Sequence, residues 1–197
     1  PLLYSTLARA GYFTNEELVD YRTINSKLFL SGHPHPKTPG VEIATGSLGQ
    51  GLSVGHGIAL SARLDGLDYK VYVLMGDGEI QEGQVWEAAM SAAKFKSNNL
   101  VAIIDYNKVA QDNLTKDLKD LEPLEDKWRA FGWDVLRIDG HDIRQIREAL
   151  DKPHDKPRMI IADTIKGKGV SFMEGKTAWH GVAPSDEEYQ TAIKELQ

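Results

Sequence analysis

The stretch "VYVLMGDGEIQEG", Val71 to Gly83, runs apolar and then halts at Gly76-Asp77-Gly78, with Glu79 and Glu82 close behind. A strand that ends this way delivers a carboxylate to a place where the backbone can approach a ligand, because glycine presents no Cβ. A helix after the turn would aim free N–H groups and the positive end of its dipole at the same spot. A carboxylate beside an anion-binding helix terminus makes sense when a cation joins the two, and Mg2+ or Ca2+ held by oxygens is the natural choice. Gly-Asp-Gly alone is also a common turn. The second half of the pattern is Asn107, thirty residues on, at the end of the next apolar run. Its amide oxygen is a neutral hard ligand, and the main-chain carbonyl of Val109 can supply another. With Asp77 they leave room for phosphate oxygens and water in an octahedral shell.

The elements that must position these groups follow from periodicity. Tyr4–Ala10 reads as a short helix stopped by Gly11, and Asn15–Asn25 as another capped by Thr14. "SGHPHPKTPG", residues 31–40, is a loop. Ser47 to Leu64 and Gln84 to Lys96 are helical, Lys70–Met75 and Leu100–Tyr106 are strands, and a polar loop follows. Glu125–Phe131 is a helix, "GWDVLRIDG" a strand, Ile143–Leu150 a helix, "RMIIADTI" a strand, and a last helix starts near Asp186. Strands apolar on both faces alternate with helices, as in βαβ units. The fold class is therefore α/β, a mostly parallel sheet flanked by helices on both faces, within one domain spanning residues 1–197. Ligands of such folds sit beyond the carboxyl ends of the strands. Three loops meet that description: Gly76–Gly78, Asp105–Asn107 and the basic "KGKG" of Lys166–Gly169.

The 197 residues are 41% hydrophobic, enough for one buried core. A net charge of -6, with 29 acids against 23 bases, excludes a broad nucleic-acid surface. Zero cysteines exclude disulfides and thiolate metal sites and fit a cytoplasmic protein. No apolar run approaches the roughly 18 residues that span a bilayer, so no membrane partner is expected. The opening "PLLYSTLARAGYF" has no initiator Met and leads us to expect further residues upstream.

"GDG", thirty residues and then "N" resembles the thiamine diphosphate fingerprint. "GDGEIQEGQVWEAA", "NLVAIIDYNK", "TPGVEIATGSLGQGLSVGHGIAL", "GWDVLRIDGHD", "DTIKGKGVSFME" and "WHGVAP" resemble transketolase in particular, in order from Ser31 to Pro184. The resemblance implies the diphosphate-binding domain of that family, with thiamine diphosphate and Mg2+ (or Ca2+ or Mn2+) as cofactors. Asp77, Asn107 and the Val109 carbonyl match the metal ligands. Gly46, Leu48, Gly76 and Gly78 match positions against the cofactor, and Glu82 with Glu87 matches the acidic pair linking the two active sites of a dimer. His33 in "SGHP" and His180 in "WHG" match substrate-facing histidines, although a lone histidine is more often an ordinary surface or core residue. His141 is expected to cap the turn or helix after it. Gly49, Gly51, Gly55 and Gly57 suit close helix packing, a cofactor-side role, or both. Lys166 and Lys168 suit a phosphate or a solvated loop equally.

Two departures from the family stand out. "VAQDN" places Asn113 where the family has glycine, a position at which asparagine tolerates positive φ. We also expect the family's pyrimidine-binding and C-terminal domains to lie outside these residues. In the family the glutamate that activates the aminopyrimidine lies in the pyrimidine domain, so the resemblance implies a partner chain that supplies it. It also implies sugar phosphate substrates and two-carbon ketol transfer. Deoxyxylulose-phosphate synthase and 2-oxo-acid dehydrogenase α subunits share the fingerprint but not "QEGQVWEA", "TPGVE" and "WHG". A non-catalytic assembly subunit is the alternative of another class. A dinucleotide oxidoreductase would need a G-x-G-x-x-G that is missing.

Overall fold

The computed structural model describes all residues, Pro1–Gln197. They form two compact units, Pro1–Leu48 and Gly49–Gln197. In the first, helix α1 (Leu2–Arg9) presents Tyr4 and Leu7 to a small core with Phe13, Leu30 and Val41. Gly11, at φ 87, turns the chain out of α1. The second helix expected over Asn15–Asn25 is only a 3-10 turn, Asn15–Asp20, where the Thr14 N–H is met by the Glu17 carboxylate. Residues 31–40 are irregular, as their prolines require.

In the second unit, α2 (Gln50–Leu64), β1 (Val71–Gly76), α3 (Gly83–Lys94) and β2 (Leu100–Tyr106) come first. A one-turn helix α4 (Thr115–Leu118) sits in the expected polar loop, too short for any periodicity to reveal it. Then follow α5 (Leu124–Ala130), β3 (Asp134–Asp139), α6 (Ile143–Asp151), β4 (Arg158–Asp163) and α7 (Asp186–Glu195). The four strands are all parallel in the order β1-β2-β4-β3. Helices α2, α3 and α5 cover one face with a core that includes Leu52, Val85, Ala89, Trp128, Met75 and Ile104. Helix α6 covers the other, where Ala149 packs on Val101 and Ile160. No helix is long and apolar enough to cross a membrane.

The central strands β2 and β4 are buried nearly throughout, but the edge strands are not. Tyr72 and Leu74 of β1 stand 51% and 65% exposed, so the expectation of strands apolar and covered on both faces holds only for the middle of the sheet. At the amino ends of the strands, Arg158 is fully buried yet satisfied. It donates to the Asp134 carboxylate at 2.6 and 2.9 Å and to the carbonyls of Ala149, Lys152 and Pro153. A buried guanidinium is tolerated only with its donors engaged, and here they tie β3, β4 and the end of α6 together.

The helix glycines divide by environment. A Cβ on Gly55 would collide with the Val73 side chain, so glycine there lets α2 lie close on β1, whereas one on Gly57 would meet nothing. Gly55→Ala should therefore lower the chain's stability by about 1–3 kcal/mol through overpacking. Gly57→Ala should raise it by about 0.5–1 kcal/mol through lower backbone entropy in the unfolded chain. Urea unfolding of both variants checks this, and equal shifts would refute the packing difference.

Candidate functional site

The carboxyl ends of the strands lie level: Gly76 pairs with Asp105, Tyr106 with Asp163, and Asp139 with Asp163. Loops leaving β1, β2 and β4 therefore share one rim. Asp77, 1% exposed, accepts the Lys108 N–H at 2.5 Å, so the first two loops touch. Lys108 reaches that place in a left-handed conformation, φ 66. The Asn107 side-chain oxygen accepts the Val109 N–H at 3.0 Å. The chain then forms a miniature hairpin in which Val109 bridges Leu114 and the Ala110 N–H meets the Asn113 carbonyl. The turn forms with asparagine at position 113 and without positive φ there; the left-handed residue is Lys108, five positions earlier. The hairpin's hydrogen bonds go to Lys108 and Asn113, and no N–H of the chain is donated to the Val109 carbonyl.

Burial pushes the Asp77 carboxyl up to about 6, with the Asp105 charge adding to it and the Lys108 and Gly78 N–H groups opposing. A cation here would relieve that cost. Nowhere do three His, Asp or Glu side chains gather to hold a metal by themselves. A cation would thus use Asp77 with neutral oxygens of Asn107 and Val109 and oxygens of a ligand, a donor set suited to a hard ion. A Cβ on Gly76 would meet nothing within 4 Å, so no atom of this chain requires glycine there and space beside the backbone stays open to a ligand. Neither Gly76 nor Gly78 has positive φ. These observations fit a metal-bridged diphosphate.

The helix expected to aim straight at Asp77 does not follow directly. A 3-10 turn, Glu79–Gln81, intervenes, and α3 begins only at Gly83. Its first acid has a role that sequence reasoning missed. The Glu79 carboxylate accepts the Gly76 N–H at 3.3 Å and the Gly49 N–H at 2.9 Å, fastening the end of β1 to the start of α2. An acid directly after "DG" carries no local signal for that. Glu82 and Glu87 are exposed in the single chain and make no ion pair within it. The Glu82 side chain crosses over Gly49, where a Cβ would strike it.

On one side of the sheet the Asn107 loop is braced by charge. Asp163 takes two hydrogen bonds from Arg137, at 2.7 and 3.0 Å, and pairs with Lys108 at 3.3 Å. The Arg137 hydrogen bonds hold the Asp163 carboxyl below the usual range, and in return Arg137 is held further above its own. Arg137 and Lys108 also lie over the Tyr106 ring, whose hydroxyl donates to Glu122 at 2.9 Å. On the other side, a groove of about 550 Å3 runs between the sheet and α6, with Asn107, Asp105, His141 and Lys166 at its rim. His141 does not cap α6, as expected; Asp142 does, and the His141 Nε2 accepts the Ile165 N–H at 2.8 Å, pinning the loop after β4. Lys166 and Lys168 make no ion pair.

Of the remaining candidates, His180 is exposed on a 3-10 turn, Thr177–His180, next to Trp179, whose ring packs on Phe172. His33, Gly46 and Leu48 belong to the first unit, where a Cβ on Gly46 would run into the His33 ring, so these two are brought together. Leu48 is 58% exposed.

Comparison with known proteins extends these findings. The family model for the transketolase thiamine diphosphate binding domain matches residues 1–196. An apulose-4-phosphate transketolase subunit from Phocaeicola vulgatus is 46% identical over 197 residues, 98% of this chain and 69% of that protein. The 6-deoxy-6-sulfo-D-fructose transketolase subunit SqwG of Clostridium sp. strain MSTE9 is 45% identical over 200 residues, 100% of this chain and 72% of that protein. The crystal structure of transketolase from Campylobacter jejuni superimposes with a TM-score of 0.93 at 37% identity, over 98% of this chain. This chain spans only 32% of that one's length.

Two expected outcomes follow from the hydrogen bonds. Glu79→Ala leaves two N–H groups without their carboxylate and should destabilise the chain by about 1–3 kcal/mol, whereas Glu82→Ala should stay within about 0.5 kcal/mol; denaturant unfolding of each distinguishes them. The lowered Asp163 carboxyl contributes stability above the ordinary carboxylate pKa of about 3.9, and that contribution is lost as pH falls through the native value. Asp163→Asn should flatten the acid limb of thermal stability while lowering the plateau at neutral pH.

Proposed function

The chain belongs to the transketolase family, in its thiamine diphosphate-binding part, and on that premise we propose that it holds the diphosphate of thiamine diphosphate through a divalent cation. Asp77, Asn107 and the Val109 carbonyl would hold the cation, Mg2+ being the best match to one carboxylate with neutral oxygens. The observation that carries this reading is the 2.5 Å hydrogen bond from the Lys108 N–H to Asp77, which brings the two loops to one place. Gly76 and Gly78 would border the diphosphate, and Gly46 and Leu48 the rest of the cofactor.

When bound, thiamine diphosphate supplies the nucleophilic carbon and the electron sink for cleaving a ketose next to its carbonyl. The reaction would move a two-carbon ketol unit from a ketose phosphate to an aldose phosphate. His33 and His180 would contact substrate hydroxyls and exchange protons with them, each requiring only a ring nitrogen within hydrogen-bond reach. Glu82, exposed and unpaired in one chain, would serve between diphosphate-binding domains of two copies.

The residues 1–197 would act as the diphosphate-binding domain of a larger assembly. Two relatives are named as subunits, and both match nearly the whole of this chain. A second polypeptide would carry the pyrimidine domain and its activating glutamate, the pair forming a heterotetramer of two chains of each kind in the cytoplasm, working on pentose phosphate chemistry.

Asp77→Ala should abolish Mg2+-dependent binding of thiamine diphosphate, read by calorimetry with and without chelator, and leave the circular dichroism spectrum unchanged. With the partner added, ketol transfer should disappear as well. Binding retained at parental affinity would refute the assignment.

A further inference from the structure

Asp105 is not among the residues proposed to touch metal or cofactor, yet it decides how one of them is presented. It is the penultimate residue of β2, half-buried, and its two oxygens have separate tasks. One accepts the Thr164 hydroxyl from the chain just beyond β4. The other accepts the Asn107 side-chain N–H at 3.3 Å. We propose that Asp105, steadied by Thr164, is a positioning residue that fixes the Asn107 amide with its oxygen, rather than its nitrogen, turned toward the metal loop.

The inference rests on the proposed role of Asn107 as a ligand. An asparagine amide is nearly symmetric in shape but opposite in chemistry at its two ends, so a flip would replace a metal-binding oxygen by an NH2 group that cannot ligate. A carboxylate only accepts. Facing Asp105, the amide must therefore present nitrogen, and its oxygen must point the other way, where it meets the Val109 N–H at 3.0 Å. Flipped, the side chain would set oxygen against carboxylate and NH2 against N–H, losing both hydrogen bonds. The Thr164 hydroxyl holds Asp105 from across the sheet, so the orientation is transmitted from β4 through β2 to the loop.

An acceptor-only group with two oxygens answers the orientation problem in a way that a neutral apolar residue does not. Partners that orient a ligand in this manner govern metal affinity without touching the metal.

The test titrates Mg2+ against the complete protein, with its partner chain where the assembly needs one, at fixed thiamine diphosphate, following tryptophan fluorescence or heat. Asp105→Leu, close in shape but without acceptors, should raise the Mg2+ needed for half-saturation by about 10–100-fold, with the metal-free melting temperature nearly unchanged. Asp105→Asn should stay within about threefold, because its amide can turn oxygen to Asn107 and nitrogen to the Thr164 hydroxyl. Adding Thr164→Val to Asp105→Asn should remove that rescue. Parental Mg2+ dependence in Asp105→Leu would overturn the proposal. So would equal losses in Asp105→Leu and Asp105→Asn accompanied by a fall in melting temperature, which would mark a purely structural role. Asp77→Ala runs alongside: if it too keeps Mg2+-dependent binding, the metal assignment itself fails, whereas its loss beside an unaffected Asp105→Leu sinks only the orientation argument.

Discussion

A buried carboxylate meeting one main-chain N–H is the constraint on which the candidate site depends. Asp77 is almost wholly out of water, and the Lys108 N–H meets it at 2.5 Å. A group in that position is uncomfortable as an anion, because desolvation is repaid only in part by a few N–H donors. The loops of β1 and β2 must come together for even that compensation, so the discomfort of one side chain and the proximity of two loops are the same fact. The site is thereby prepared for a positive charge without holding a cationic side chain of its own against the carboxylate.

The loop that supplies the N–H is gripped from both faces of the sheet. Successive residues of a strand point to opposite sides, and the end of β2 uses this directly. Asp105 points to the groove side and reaches Thr164, while Tyr106 points to the α3 and α5 side and meets Glu122, beneath Arg137 and Lys108. Asp163 then gathers Arg137 and Lys108 on that second side. Each exposed ion pair alone is worth little. Together they surround a short turn whose displacement would break several contacts at once, which is how weak surface contacts hold a backbone conformation.

Much of this was legible in the sequence. The apolar runs at Val71 and Leu100 place β1 and β2, and their endings in Gly-Asp-Gly and in Asn name the two residues that the structure then sets on adjoining loops. The helix at Gln50–Leu64 and the strand at Arg158–Asp163 were legible for the same reason, since burial on a regular element repeats at a fixed period. What stayed hidden depends on partners distant in the chain. Nothing local says that Glu79 reaches back to Gly49, that His141 accepts from Ile165, or that Lys108 takes the left-handed turn. The helix expected over Asn15–Asn25 ended early because residues 22–25 bury no apolar face against anything. The exposure of Tyr72 and Leu74 was equally invisible, because whether a strand lies at an edge is settled by strand order and not by its own residues.

The left-handed turn at Lys108 has an evolutionary corollary. The group delivered to Asp77 there belongs to the main chain, so the side chain is released from the site's chemistry and is free to serve Asp163 instead. Position 108 is therefore permissive in a particular way: glycine, asparagine, arginine and other unbranched residues can pass through it with the N–H still in place, while valine, isoleucine and threonine meet a steric barrier at positive φ. Variation at this residue would tune the surface around the rim and leave its interior untouched, giving a lineage room to alter what approaches the site without rebuilding the site itself.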